Sequence, residues 1–544
     1  MKHGTVFLNP EIHPDKSKHI KLIETHISKV YLTDKFVYKT KKPVDFGFCD
    51  FRTLEKRKFF CEEEVRLNQR LCPELYLGIV PLIKKGGNHI PTCHSDPVPY
   101  GAGEESRDPS VALGNLRMTD MKYEIIDYAV KMKRLPEKNL LANSLDILNE
   151  NRVKELAQII ANFHKNTEEA PLNIKVNSFK NVKHNWQENF EQTKPFINST
   201  ITKKEYCYIK KNIESFILNK KNFFQKRIAN NKIREGHGDL HTGNIFFYKN
   251  KFYIFDAIEF NERFRFEDIT SDLAFILMDL EFHHYENLSK IILEEYIKLT
   301  KDKELLLLIN FYKCYRAYVR GKILSFQTNN QDLTASQRKK IKTTAKKYFV
   351  LAYNYAIQIF PKPIFLIMCG FTGSGKTHLS QLLNQRLGLN MIQSDVILKK
   401  SAGLSPKTRK YLKFEQGIFS QKSRDKNYLR MVKLAEKNLK QNHGVVLDAS
   451  FIYRRWRNLA EMMAKNLNIP YLIIHCQVPK NIISKRLKIR AKNDLVSDGR
   501  PYIYENQKKV FENFTKKEKV LRIDTTENFN KILRKIAHKI ETLI

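Results

Sequence analysis

The spacing of hydrophobic positions changes character several times along the chain. In VYLTDKFVYKTK (30–41), β-branched and aromatic residues flank a TDK turn, which predicts a β-hairpin. In LEKRKFFCEEEVRLNQRL (54–71), Phe60, Glu64, Leu67 and Leu71 recur at three- and four-residue intervals and predict a helix. Strand character returns over 75–92. CHSDPVPYGAGEESRDPSVALGN (93–115) is rich in Pro, Gly and Ser and is expected to be a flexible insertion. YEIIDYAVKMKRLP (123–136) then reads as a strand entering a short connector. From 151 to 355 the pattern is mostly helical, as in VKELAQIIANFH (153–164). IFFYKNKFYIFD (245–256) interrupts it as a hairpin with KN at its tip. Strands first and helices afterwards predict a two-lobed α+β unit. The polar segment QTNNQDLTASQRKKIKTT (327–344) and the prolines of FPKPIF (360–365) mark its end. Beyond 364, IFLIMCG, LNMIQSD, GVVLDAS and YLIIHC alternate with helical stretches, which is the α/β pattern of a parallel sheet. The expected domains are 1–355 and 362–544, and no internal repeat is evident.

Length agrees with this division, because 544 residues exceed what one hydrophobic core accommodates. Eight cysteines without a CxxC pair argue against a disulfide scaffold or zinc cluster and for free thiols in a reducing compartment. The N-terminus lacks the apolar core of a signal peptide, and no apolar run approaches a membrane span. The chain therefore reads as cytoplasmic, with no membrane partner. The net charge of +38 changes the picture only in part. Its densest runs, KTKK, QRKKIK and KNLK, lie far apart, so a solvated lysine-rich surface accounts for it. Contact with nucleic acid is the alternative.

Two stretches carry chemistry. Gly370-Phe-Thr-Gly373-Ser374-Gly375-Lys376-Thr377 fits GxxxxGK[ST] between an apolar strand and a helix bearing Leu379, Leu382, Leu383 and Leu387 on one face. Such a loop turns backbone N–H groups toward phosphates; Lys376 neutralises the β- and γ-phosphates and the Thr377 hydroxyl takes a place on Mg²⁺. Asp448 ends the strand VVLD as a second candidate metal ligand. Asp395, ending MIQSD, is the candidate base or else a helix cap. Arg454, Arg457, Arg486, Arg490 and Arg500 are candidates for a lid over the transferring phosphoryl group. These residues resemble small P-loop kinases of the gluconate-kinase-like and polynucleotide-kinase-like kind, over about 364–540.

The second stretch, His237-Gly-Asp239-Leu-His241-Thr-Gly-Asn244, runs into the 245–256 hairpin, which ends on Asp256. A hairpin brings its ends together, so Asn244 and Asp256 can converge on one metal ion while Asp239 accepts a hydroxyl proton. HGDLHTGNI closely resembles the catalytic loop of aminoglycoside phosphotransferases and related choline- and protein-kinase-like enzymes. That resemblance implies Asp239 as base and Asn244 and Asp256 as metal ligands. It also implies a phosphate-pairing lysine in VYKTK, at Lys39 or, on the same pleat face, Lys41. The helix partner of that lysine would be Glu64, with Glu62 second, and 130–135 would be an adenine-contacting hinge. ETHISKV (24–30) stands where a glycine-rich loop would be, and Asp-Ala-Ile-Glu replaces Asp-Phe-Gly, with Glu259 a further carboxylate nearby.

YKTKKPVDF, EEEVRLNQRL, ELYLGIVP, IEFNERFR and SDLAFILMDL extend the likeness over nearly the whole chain, to a bacterial family that fuses an aminoglycoside-phosphotransferase-like domain to a P-loop kinase-like domain. The resemblance implies ATP and Mg²⁺ as cofactors and a small-molecule hydroxyl as acceptor. A polycationic acceptor would want an acidic cleft, for which EFNERFRFEDITSD (259–272) and MDLEFHHYE (278–286) are candidates; Asp268 and Asp272 could instead brace the catalytic loop. The alternatives are a kinase acting on RNA or DNA ends and a regulatory protein that senses ATP at one site.

Overall fold

A computed structural model describes Ser17 and residues 19–47, 49–85, 92–93, 123–359, 363–387, 389–405, 408, 415–441, 443–493 and 501–542. The insertion expected at 93–115 falls, apart from Cys93, outside the described residues. The chain divides into two compact units: Met1–Thr202 with Lys220–Phe349, and Lys203–Asn219 with Val350–Ile544. The division lies inside one helix, Ala335–Ile357, not at the polar stretch or prolines that suggested a boundary. Lysines and threonines of 335–347 cover the outer side of that helix, while Ala345, Tyr348, Phe349 and Ala352 are buried. Lys203–Asn219 is a helix that belongs to the second unit. Tyr208 meets Tyr353 at 4.8 Å, and Glu205 pairs with Arg534 at 3.1 Å. Among the described residues no helix is long and apolar enough to cross a membrane.

In the first unit, β1 (Lys21–Glu24), β2 (Ser28–Leu32), β3 (Phe36–Lys41), β4 (Tyr76–Lys85), β5 (Thr92–Cys93) and β6 (Tyr123–Lys133) form an antiparallel sheet. Their order is β1-β2-β3-β6-β4-β5. The hairpin expected at 30–41 is β2–β3, with Tyr31 opposite Tyr38. Period-two alternation puts Lys39 and Lys41 on one face, toward the helix Leu54–Gln69. Thr53 caps that helix, accepting the Lys56 N–H at 3.3 Å. Cys61 and Val65 seat the helix against Tyr76, Ile79, Val130 and Met132 of β4 and β6. β1 lacked a strong sequence signal. It meets β2 through a tight turn, in which the Thr25 N–H donates to Ser28 O at 2.9 Å.

The rest of this unit is mainly helical. Ile269–Phe282 is buried on nearly every side, as the almost unbroken apolar run LAFILM demands. It packs on the helices Glu286–Thr300 and Ile309–Gln327. β7 (Ile233–Glu235) leads into the HGD loop, β8 (Ile245–Tyr248) and β9 (Lys251–Ile254) form the second hairpin, and β10 (Phe266–Asp268) pairs back with β7. Lys249 and Asn250 both have positive φ, the backbone of the tight primed turns that suit β-hairpins.

In the second unit β11 (Phe365–Cys369), β12 (Asn390–Gln393), β13 (Val445–Asp448), β14 (Tyr471–Gln477) and β15 (Val520–Asp524) make one parallel sheet, in the order β12-β13-β11-β14-β15. β11 is central and entirely buried, so its carboxyl end opens where neighbouring strands and loops converge.

Candidate functional site

The 237–256 segment folds as its spacing suggests. Ile245 lies opposite Ile254, and the Phe255 N–H donates to Asn244 O at 3.0 Å, which sets Asp256 beside Asn244. The Asn244 amide donates to Asp239 Oδ2 at 2.9 Å and to Asp239 O at 3.0 Å. Asp256 adopts φ +64° and turns the chain out of β9. Gly238 has φ +82°, and a Cβ there would stand 2.8 Å from Phe264 O, so the position requires glycine.

Both loop histidines have their tautomers set by backbone. His237 Nδ1 accepts the Asp239 N–H at 3.2 Å, leaving Nε2–H to donate to Phe255 O at 3.0 Å. His241 Nδ1 accepts the Gly243 N–H at 3.0 Å, so Nε2–H faces Asp239 Oδ2 at 3.4 Å. Burial alone would raise the Asp239 carboxyl, but His241 and Arg320 hold it well below the usual carboxylate range. Burial lowers His237 and keeps it neutral.

The loop rests on carboxylates supplied by the buried helix Ile269–Phe282. Asp272 accepts the His237 N–H at 2.5 Å and the Gly238 N–H at 2.8 Å; Asp279 accepts the Thr242 N–H at 2.9 Å. Of the two bracing candidates, Asp272 therefore braces the loop, whereas Asp268 caps its own helix and pairs with Arg227 at 2.7 Å. The acidic stretches are largely consumed internally: Glu267 meets Arg316 at 2.5 Å and Glu281 meets Lys313 at 2.5 Å. They do not form the open acidic cleft that a polycation would want, because the acids serve to neutralise buried cations.

The sheet delivers the basic half of the site. Lys39 Nζ lies 2.5 Å from Asp256 Oδ1 and 2.9 Å from Glu64 Oε1. Lys41 Nζ lies 2.5 Å from Glu64 Oε2 and also pairs with Glu259. The two lysines, ambiguous in the sequence, thus differ in setting: Lys41 is fully buried behind Glu64, while Lys39 borders the partly open Asp256. Glu64 is completely buried, whereas Glu62 is half-buried on its helix beside Lys58. Burial opposes the charge on Lys39, but Asp256, Glu64 and Glu259 raise it well above the usual lysine range. Glu64 is lowered by the two lysines against burial, and Glu259 is raised by burial. Arg66 of the same helix and its C-cap Arg70 grip Glu235, just before the loop, at 2.7 and 2.9 Å. In the expected hinge, the N–H groups of Lys133 and Arg134 already donate to Leu75 O and Lys35 O, so they are not the adenine donors.

The second site follows β11. Gly370, Gly373 and Gly375 all have positive φ. At Gly375 (φ +90°) a Cβ would stand 2.6 Å from the Thr525 hydroxyl, so only glycine closes this turn. Lys376, which opens the helix Lys376–Leu387, folds back to donate to Phe371 O at 2.8 Å. Ser374 Oγ is buried without a hydrogen-bond partner. Thr377 follows in the first turn, and Asp448 ends β13 level with Met368 of β11 and Gln393 of β12. Asp395 lies in the first turn of the helix Ser394–Ser401, directly after β12.

The arginine lid needs correction. Arg457 is fully buried; it pairs with Glu518 at 2.5 Å and donates to the carbonyls of Phe451, Ile452 and Glu512. It is therefore a brace of the core. Arg454 donates to Asn513 O at 3.3 Å. Arg486 meets the Thr525 hydroxyl at 2.9 Å, and Thr525 in turn donates to Ser374 O at 2.8 Å, so Arg486 stands at the phosphate loop. The Arg490 side chain and Arg500 lie outside the described residues.

The donor sets fit Mg²⁺. Asn244 and Asp256 offer amide and carboxylate oxygens, and Thr377 and Asp448 offer a hydroxyl and a carboxylate beside the unpartnered Ser374 Oγ. Among the described residues no group of three or more His, Cys, Asp or Glu could hold a metal.

Residues 365–514 match the AAA domain family. Over 472 residues, 86% of each chain, the protein is 24% identical to an uncharacterized protein of Mycobacterium tuberculosis strain H37Rv. It is 32% identical to the adenylate kinase of Buchnera aphidicola subsp. Cinara cedri over 140 residues, 25% of this chain and 60% of that enzyme. Among solved structures, a gluconokinase from Sinorhizobium meliloti aligns with 34% of this chain and 94% of its own, at 17% identity and TM-score 0.24. The APS kinase CysC of Mycobacterium tuberculosis aligns with 34% of this chain and 99% of its own, at 18% identity and TM-score 0.26. The sheet of the second unit is accordingly that of a parallel-sheet P-loop domain, and residues 365–514 within it match the AAA domain model.

Proposed function

We propose that the protein is an ATP- and Mg²⁺-dependent phosphotransferase with two nucleotide sites, whose first unit phosphorylates a hydroxyl of a small polar molecule. The observation that carries this reading is the meeting of Asp239, Asn244 and Asp256 with the Lys39–Glu64 pair at one point of the first unit. The likeness of HGDLHTGNI to aminoglycoside-phosphotransferase catalytic loops supports it. Asp239 takes the acceptor's proton; the hydroxyl oxygen bonds to the γ-phosphorus, the β–γ bridging bond breaks, and ADP leaves. The lowered Asp239 keeps its base form at neutral pH, and its orientation by Asn244 and His241 supplies positioning, which phosphoryl transfer depends on most. Lys39 holds phosphate oxygens and Glu64 aims Lys39. Asn244 and Asp256 would hold Mg²⁺, which neutralises charge on the phosphates. In the second unit Ser374, Gly375, Lys376 and Thr377 would cradle a second triphosphate, Thr377 and Asp448 would hold its Mg²⁺, and Asp395 would be the base.

The test is transfer from γ-labelled ATP to metabolite and RNA pools, run with wild type, Asp239→Asn and Lys376→Ala. Label lost only in Asp239→Asn assigns the acceptor to the first unit. Identical labelling in wild type and Asp239→Asn overturns the role of that aspartate.

A further inference from the structure

The helix Ile309–Gln327 sends two arginines, one turn apart, toward the Asp239 loop. Arg316 is held at both terminal nitrogens: Nη1 donates to Gly238 O at 2.7 Å, and Nη2 meets Glu267 at 2.5 Å. Arg320 is held less completely. It hydrogen-bonds the Tyr348 hydroxyl, with that ring's centre 5.8 Å away, and Asp239 and Asp279 favour its charge from nearby, but among the described residues no carboxylate forms a direct ion pair with it. Its Nε, like that of Arg316, is buried without a hydrogen-bond partner. Tyr348 in turn donates to Asp279 at 3.4 Å, and Asp279 accepts from Thr242. Arg320 is thus bracketed by a link to Gly238 through its neighbour Arg316 and a link to Thr242 through Tyr348 and Asp279. Asp239 lies between those two loop residues. A guanidinium drawn out of water with no carboxylate in direct contact is costly, and an incoming anion would complete it.

We infer that Arg320 anchors an anionic group, a phosphate or carboxylate, on the hydroxyl-bearing acceptor, so that the molecule phosphorylated at Asp239 is an anion. The inference rests on the phosphotransferase reading of the first unit. It specifies the acceptor in a way the sequence did not, since the acidic stretches that would serve a polycation are spent on internal pairs. The planar fork of arginine donors suits paired oxygens better than a lysine would.

The experiment uses the full chain carrying Lys376→Ala, which removes the phosphate cradle of the second unit. With saturating Mg²⁺ and AMP-PNP, inorganic phosphate is titrated by calorimetry into this protein, its Arg320→Gln form and its Arg320→Lys form. In parallel, γ-labelled ATP is offered with glycerol against glycerol 3-phosphate, glucose against glucose 6-phosphate, and kanamycin. The expected result is phosphate binding that weakens about tenfold to a hundredfold in Arg320→Gln and less in Arg320→Lys. Label should enter the anionic members, and Arg320→Gln should raise their KM more than it lowers kcat. Phosphate binding that is absent, or equal with arginine and glutamine, overturns the inference whether or not any acceptor is labelled. So does preferential labelling of neutral acceptors or kanamycin, or a uniform fall in kcat, which would place Arg320 on the transferring phosphoryl group. Failure of the Lys376→Ala protein to bind AMP-PNP sinks the phosphotransferase reading instead; the phosphate titration without nucleotide then still decides Arg320.

Discussion

Replacing Lys41 with methionine isolates the buried ionic cluster from catalysis. The side chain is fully buried, 2.5 Å from Glu64 and paired with Glu259. Methionine fills a similar volume, so the lost interaction is mainly charge. At an effective dielectric of about 20, the attraction to Glu64 alone is ~7 kcal/mol before desolvation is set against it. Removing one partner of a buried pair generally costs about 3–5 kcal/mol, because a charge is left uncompensated. Here Glu64 keeps Lys39, and Glu259, already raised by burial, can escape by binding a proton. The expected loss at pH 7.5 is therefore at the lower end, about 3 kcal/mol.

The pH dependence has a definite sign. A carboxyl raised in the folded state is at no disadvantage below its unfolded pKa, and stability falls as pH rises toward the folded value. Without Lys41 the Glu259 carboxyl rises further, so the deficit of Lys41→Met should shrink as pH falls toward the ordinary glutamate range. The chain's two tryptophans fall one in each unit, Trp186 in the first and Trp456 in the second. Urea unfolding of a Trp456→Phe background, followed by Trp186 emission, therefore reports the first unit alone. Adding Glu259→Leu to Lys41→Met should recover at least half the loss, since it removes the orphaned charge. A loss below about 1 kcal/mol, a deficit that does not change with pH, or a double variant no better than the single would refute the reasoning.

Asp239→Asn should leave AMP-PNP affinity at the first site within a factor of about three while lowering turnover by two or more orders of magnitude, read by single-turnover labelling. Lys376→Ala should abolish nucleotide binding in the second unit and spare the first, so calorimetry should find one equivalent of nucleotide where wild type takes two. Arg457→Leu should destabilise the second unit by about 3 kcal/mol in Trp456-monitored unfolding, because Glu518 is left buried without a counter-ion; a lid role would instead lower kcat and leave stability unchanged. Burial, with Arg522 and Arg457 nearby, lowers His475 to about 4, so its unfolded form takes up a proton first. Second-unit stability should therefore fall by on the order of 2–3 kcal/mol between pH 6.5 and 4, and His475→Leu should flatten that slope.

The parts legible in the sequence are local in origin. The HGD loop, the KN-tipped hairpin and the P-loop with its flanking strand and helix each depend on residues within about a dozen positions, where spacing alone decides which side chains meet. The same locality explains why Asn244 and Asp256 could be paired by counting. The choice between Lys39 and Lys41 could not be made that way, since alternation puts both on one face, and Asp256 and Glu259, far along the chain, separate them. Arg457 looked like its neighbours in the sequence, yet the burial of Glu518 beside it makes it a brace. The acidic stretches after Asp256 read as an open surface until Arg316, Lys313 and Arg227 arrived from other helices. The helix Lys203–Asn219, set within the first unit's sequence yet belonging to the second, carried no local mark of that placement. A residue's own neighbourhood in the chain sets its backbone and its face, but its charge balance depends on partners brought from dozens or hundreds of residues away. Only the tertiary structure decides whether a given lysine, arginine or aspartate is left free to act.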